Sequence, residues 1–163
     1  MVHKDLHKAD ANFFIKNDFS LTDATFNVSD SYQNLDANAI GMLLETTYPL
    51  NPQIADDLNN HLFEGVVKPI DNFSGKPRSL GAINIQRGRD HGVRSYNDYR
   101  ELSGLKKAET FDDFTNIPDI NLQQIIKYYK NVNDVDLFVG CVSEARLIGA
   151  KVGATMASKK NSV

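Results

Sequence analysis

The chain has 163 residues, 41% hydrophobic and 24% charged, with a net charge of −3 at neutral pH. That balance excludes a disordered tail or a collagen-like fibre, and the length suits one domain with a buried core. The mild negative charge leaves no footprint for nucleic acid or an acidic membrane surface. Apolar runs stop at about five residues, as at Ile40 to Leu44, so no membrane span and no signal peptide are expected.

At the amino end His3 and His7 are spaced to share one face of a helix. Asp36 is placed to cap a helix in which Ile40, Leu43, Leu44 and Thr47 follow the helical period up to Pro49. Asn51 caps a second helix, with Pro52 in its first turn, Ile54, Leu58 and Leu62 on one face, and His61 inside it. Residues 68–77, with Pro69, Pro77, Gly75, Asn72 and Ser74, compose a loop.

From Ala82 to Tyr99 the chain gathers three arginines, two aspartates, a histidine, two asparagines and a glutamine around two glycines. Arg87, Arg89, Asp90 and His91 follow an apolar lead-in of Leu80, Ala82, Ile83 and Ile85, so the segment is expected to enter an interior. Buried charge must be paired or serve a ligand, and both a structural polar network and a ligand site satisfy that demand. Gly88-Arg-Asp-His-Gly92 lacks the glycine spacing of a phosphate loop.

Beyond it, Ser95 to Asp98 has capping-box spacing, predicting a short helix to Leu102 that stops at Gly104. Thr110 to Asp113 repeats the device. A longer helix from Ile120 places Leu122, Ile125, Ile126 and Tyr129 on a core-facing stripe, and packing accounts for Tyr128 and Tyr129 better than a radical relay does. Val132 to Val142 reads as a short extended or turn-rich element. Cys141, the single cysteine, allows no internal disulfide and is expected as a small buried residue. Asn27-Val-Ser29 and Asn72-Phe-Ser74 are glycosylation triplets, meaningful only in a secreted chain.

Three ordered blocks resemble the animal haem peroxidase superfamily, the group of myeloperoxidase, peroxinectins and chorion peroxidases. They are Asn84-Ile-Gln-Arg-Gly-Arg-Asp-His-Gly92, continuing through Tyr96-Asn-Asp-Tyr-Arg-Glu-Leu-Ser-Gly104, and Val135-Asp-Leu-Phe-Val-Gly140 with Ser143-Glu144. Weaker upstream elements stand at Phe19 to Phe26 and Asp57 to Phe63. The resemblance implies a mainly α domain with few or no strands. It divides the chain into an N-terminal extension (1–18), the C-terminal portion of the peroxidase domain (19–153) and a tail (154–163).

The resemblance also implies roles for residues. Asn84 matches the asparagine that accepts a hydrogen bond from the histidine ligating haem iron, and Arg87 matches the arginine beside a haem propionate. Arg89, Asp90 and His91 are then the network holding the segment. The cofactor implied is haem b, its proximal histidine expected upstream of this chain, since His3 and His7 lack the family's Arg-x-Gly-His context, His61 reads as a helix histidine bonded to a neighbour, and His91 belongs to the network. No other metal site is recognisable. Hydrogen peroxide and a small phenolic or halide donor are the implied partners, the location is extracellular, and this fragment alone is expected to be inactive. Two alternatives remain: a catalytically silent extracellular binding or matrix module, and a fatty-acid oxygenase of the same superfamily. The family often carries cysteine where Ser103 stands, so one usual bridge is expected to be missing.

Overall fold

The computed structural model describes residues 5–9, 12, 15–20, 28–44, 50–62, 64 and 78–158. The chain divides into two compact units, Met1–Tyr48 with Gln53–Gly81, and Pro49–Pro52 with Ala82–Val163. The described elements are mainly helical, as expected, with one two-stranded ribbon.

In the first unit, β1 (Asp5–Ala9) pairs antiparallel with β2 (Ile15–Ser20), and His7 stands opposite Asp18 in the register. His7 therefore lies on a strand, which corrects the shared helix face; His3 lies outside the described residues. An isolated helix of fewer than about 12 residues is marginal, whereas a strand gains ladder bonds from its neighbour. α1 (Val28–Gln33) leads through Asn34 into α2 (Leu35–Leu44), which runs against β1. Asp36 sits within the first turn of α2 and does not cap it. The reason is the bridging Asn34, whose N–H bonds to Asp30 and whose carbonyl accepts from Asn38 at 2.9 Å, so no open helix start is left to cap. Leu43 is 78% exposed, so the expected apolar stripe is not buried within this unit. Thr47 and Pro49 fall outside the described residues.

The helix expected from Asn51 to Leu62 is corrected to one turn, α3 (Asp56–Asn59). Leu62 exchanges backbone hydrogen bonds of 3.2 and 3.0 Å with Arg78, which draws its peptide groups out of any helix. His61 lies just past α3, half-exposed, bonded to Glu64 and 3.6 Å from Asp56. Its pKa is raised, chiefly by the Glu64 hydrogen bond. The expected loop at 68–77 and both asparagines of the glycosylation triplets lie outside the described residues.

The second unit holds α4 (Leu80–Asp90) from Ala82 onward, α5 (Tyr96–Leu102), α6 (Asp119–Tyr128), α7 (Leu137–Ser143) and α8 (Ala154–Ala157). Its core is built on the fully buried Tyr96, Phe114 and Val135, with Ile117, Leu122 and Ile125 around them. Tyr96 and Phe114 meet edge to face at 5.2 Å. Ser95 caps α5 by accepting from the Asp98 N–H at 3.2 Å, and Gly104 follows in the left-handed conformation at φ 83°, both as the spacing predicts. At Thr110 the capping carboxylate also forms: Asp113 accepts from the Thr110 N–H at 2.8 Å around a 3-10 turn at Phe111–Asp113.

Two readings change here. The stripe of α6 is narrower than expected, with Leu122 and Ile125 buried while Ile126 is 38% exposed; Tyr128 is in solvent. The extended element expected over Val132 to Val142 is a 3-10 turn at Val132–Asp134 followed by α7. Gly140 explains how that helix packs: a methyl group added there would overlap the Tyr96 ring, so only a residue without a side chain lets α7 approach α5 this closely. That close packing overrides the strand preference of the valines.

Candidate functional site

Helix α4 ends as its sequence dictates. The Val93 N–H bonds to the Gly88 carbonyl at 2.9 Å and the Gly92 N–H to Arg89 at 3.1 Å, the double closure that a left-handed Gly92, φ 65°, permits. One face of α4, carrying Asn84, Ile85 and Gly88, lines a cavity of about 470 Å³. Across it stand Leu137, Phe138 and Cys141 of α7, with Leu50, Val93 and Met156 completing apolar walls.

Two polar side chains reach those walls, and they differ in what they bond. Asp136 is saturated: Arg89 grips it with Nε at 3.0 Å and Nη2 at 2.7 Å, and the Tyr129 hydroxyl donates at 2.7 Å. Burial pushes the Asp136 carboxyl up, but the Arg89 and Tyr129 hydrogen bonds outweigh it, leaving it below the usual range. Tyr129 is pushed up to about 12, by burial first and then by Asp136. The Asn84 amide forms no hydrogen bond among the described residues. Nor does the exposed Arg87 guanidinium, one turn further on, which also has no ion pair among them.

Arg89, Asp90 and His91 do not bond to one another. Successive helix positions point about 100° apart, so neighbours in sequence face different ways. Arg89 holds Asp136, Asp90 accepts from Gln86 Nε2 at 2.8 Å, and His91 is exposed. Cys141 is buried as expected, and burial pushes its thiol up to about 12, which leaves it a poor nucleophile.

A second polar cluster went unnoticed in the sequence. Glu144, 5% exposed, accepts from the Tyr96 hydroxyl at 2.7 Å, from Asn116 Nδ2 at 2.6 Å and from the Thr155 N–H at 3.0 Å. Arg100, 4% exposed, reaches the same Tyr96 hydroxyl at 3.4 Å and bonds Asn116 Oδ1, so its charge balances that of Glu144 through two intermediaries. Burial pushes the Tyr96 hydroxyl up to about 12, which keeps it a proton donor to Glu144. Asn97, fully buried, clasps Ala108, donating to its carbonyl at 2.9 Å and accepting from its N–H at 2.8 Å. The signal lay in Tyr96, Asn97 and Arg100, one face of a short helix carrying three polar groups. Ser103 donates to the Thr155 carbonyl at 3.1 Å, a hydrogen bond where the resemblance led one to look for a cysteine.

The family model of the animal haem peroxidases matches residues 1–158. The chain belongs to that family. Peroxidase skpo-1 of Caenorhabditis elegans is 34% identical over 96% of the chain, which spans 22% of that relative's length. The chorion peroxidase of Drosophila melanogaster is 42% identical over 66% of the chain and 12% of its own length. Among solved structures, peroxidase A of Dictyostelium discoideum superimposes on 94% of the chain and 29% of its own with a TM-score of 0.78 at 27% identity. An Oryza sativa fatty acid alpha-dioxygenase shares the fold, with a TM-score of 0.69 at 19% identity over 94% of the chain and 27% of its own. The chain thus spans less than a third of these proteins. Among its described residues no group of three or more His, Cys, Asp or Glu side chains is placed to hold a metal ion, and no helix is long and apolar enough to cross a membrane.

Proposed function

We propose that residues 19–153 form the proximal-side portion of an extracellular haem peroxidase domain, oxidising a phenolic or halide donor with hydrogen peroxide. The observation that carries this reading is the Asn84 amide, unpartnered among the described residues at the edge of an apolar cavity. The amide is half-buried, so water can serve it in the chain alone, and an imidazole N–H suits its carbonyl oxygen. These residues fit haem: an amide acceptor for the iron's histidine, and one turn away a guanidinium unpaired among the described residues, whose fork matches a propionate. Haem, when bound, supplies the peroxide-dependent oxidation.

Asn84 would accept from the ring N–H of the histidine that ligates iron, fixing its tautomer and raising its basicity. Arg87 would anchor the haem by one propionate, and the apolar walls would keep water from the Asn84 bond. No residue lining the cavity is a histidine, so that ligand is supplied from outside the described lining. The same observation supports a second reading, a peroxidase-like scaffold that binds without turnover.

A haem titration of the 163-residue chain, followed in the Soret region with and without added imidazole, tests the proposal. A saturable shift that requires imidazole and weakens in Asn84→Leu and Arg87→Gln is the expected result. Saturable binding without imidazole, lost on replacing His3 or His91, would place the ligand inside this chain and overturn it. Guaiacol oxidation in the imidazole-loaded sample separates the enzyme from the silent scaffold.

A further inference from the structure

Asp136 holds the N-cap position of α7, where an aspartate ordinarily accepts from the first free N–H groups of its helix, a bond worth about 1 kcal/mol. It makes no such bond. Both carboxylate oxygens are committed sideways instead, to the two-pronged grip of Arg89 at the end of α4 and to the hydroxyl of Tyr129 at the end of α6. One carboxylate therefore ties together the ends of three helices. Asp136 also lies in the wall of the cavity that Asn84 and Gly88 face from α4 and Leu137 and Cys141 face from α7.

We infer that Arg89, Asp136 and Tyr129 form a clamp that sets the separation of α4 and α7, and that Arg89 is thereby a positioning residue for Asn84. Arg89 follows Asn84 by about a turn and a half on one rigid helix, so an error in its grip is carried to the amide. A lysine cannot replace it, because one ammonium reaches a carboxylate as a point charge without the fork that fixes direction. An ordinary exposed ion pair would contribute little. Here Arg89 is 57% exposed but Asp136 only 15%, the guanidinium grips the carboxylate in two-pronged fashion at the edge of the cavity, and Tyr129 fixes that carboxylate from the other side. The inference rests on the proposed reading only for what Asn84 serves; the clamp itself involves no haem.

Cys141 provides a built-in reporter, since it is the single thiol of the chain, 7% exposed, and lines the cavity on the α7 side. Its labelling by a maleimide is to be timed in the full 163-residue chain without haem, for Arg89→Gln, Arg89→Lys and Tyr129→Phe. Asp98→Asn, which breaks the exposed Lys107 pair elsewhere in the same unit, serves as the control. Circular dichroism and Tm establish that each variant is folded. Acceleration of roughly tenfold or more in Arg89→Gln, less in Arg89→Lys and least in Tyr129→Phe, against an unchanged control, is expected. If Arg89→Gln does not fold, the other two carry the comparison. Rates within about twofold of the control in every folded variant would overturn the clamp, whatever the haem titration shows.

Discussion

The second unit contains two sets of polar side chains, and they behave in opposite ways. Around Tyr96 the side chains bond one another: Arg100, Asn116, Glu144 and Thr155 form a buried network in which Arg100 balances Glu144, although the buried Arg100 Nε is left without a partner among the described residues. On α4, the side chains of Asn84 and Arg87 bond nothing among the described residues, although they sit on a helix closed at its end by two backbone bonds. On the proposed reading the first set serves the fold and finds most of its partners within it, whereas the second would be held in place for a ligand.

The contrast can be broken most forcefully at the closed cluster. Gly140→Ala drives a methyl group into the Tyr96 ring and is expected to cost about 3 kcal/mol, read as a lowered midpoint in urea. Glu144→Ala strands the Tyr96 hydroxyl and Asn116 and leaves Arg100 without its counter-charge, a loss also of about 3 kcal/mol by the same measurement. Asn97→Ala removes the clasp on Ala108 and should cost about 2 kcal/mol.

A smaller effect belongs to the clamp and depends on pH. The folded pKa of Asp136 lies below its ordinary 3.8, so the stability it contributes is fully present above that value and is lost as pH falls through the lower folded one. Acid titration of thermal stability should show this loss in the wild type, and Asp136→Asn should flatten it. An unchanged acid limb in Asp136→Asn would remove the clamp from the account of the fold.

The sequence made some of this visible and hid the rest for physical reasons. Local devices were legible: the Ser95 cap, the Asp113 carboxylate over Thr110 and the glycine stop at Gly104 depend on residues three to nine apart. Long-range choices were not. Val132 to Val142 looked extended because valine favours strands, whereas the helix there packs through Gly140 on Tyr96, 44 positions away, a contact no local pattern reveals. Leu62 left its expected helix for a bridge to Arg78. Asn84 and Arg87 stood out through a family resemblance, whereas the partner of Arg89 was invisible because Asp136 lies 47 positions on.

Thermal unfolding of Asn84→Leu beside Glu144→Ala, in the chain without haem, addresses most directly whether the α4 amide is reserved for a group other than the fold. Leucine matches asparagine in size, suits the apolar cavity and is the better helix former. Asn84→Leu is therefore expected to keep or raise Tm while Glu144→Ala lowers it. A fall in Asn84→Leu comparable to that of Glu144→Ala would make Asn84 a structural residue and contradict the assignment on which the proposed haem site depends.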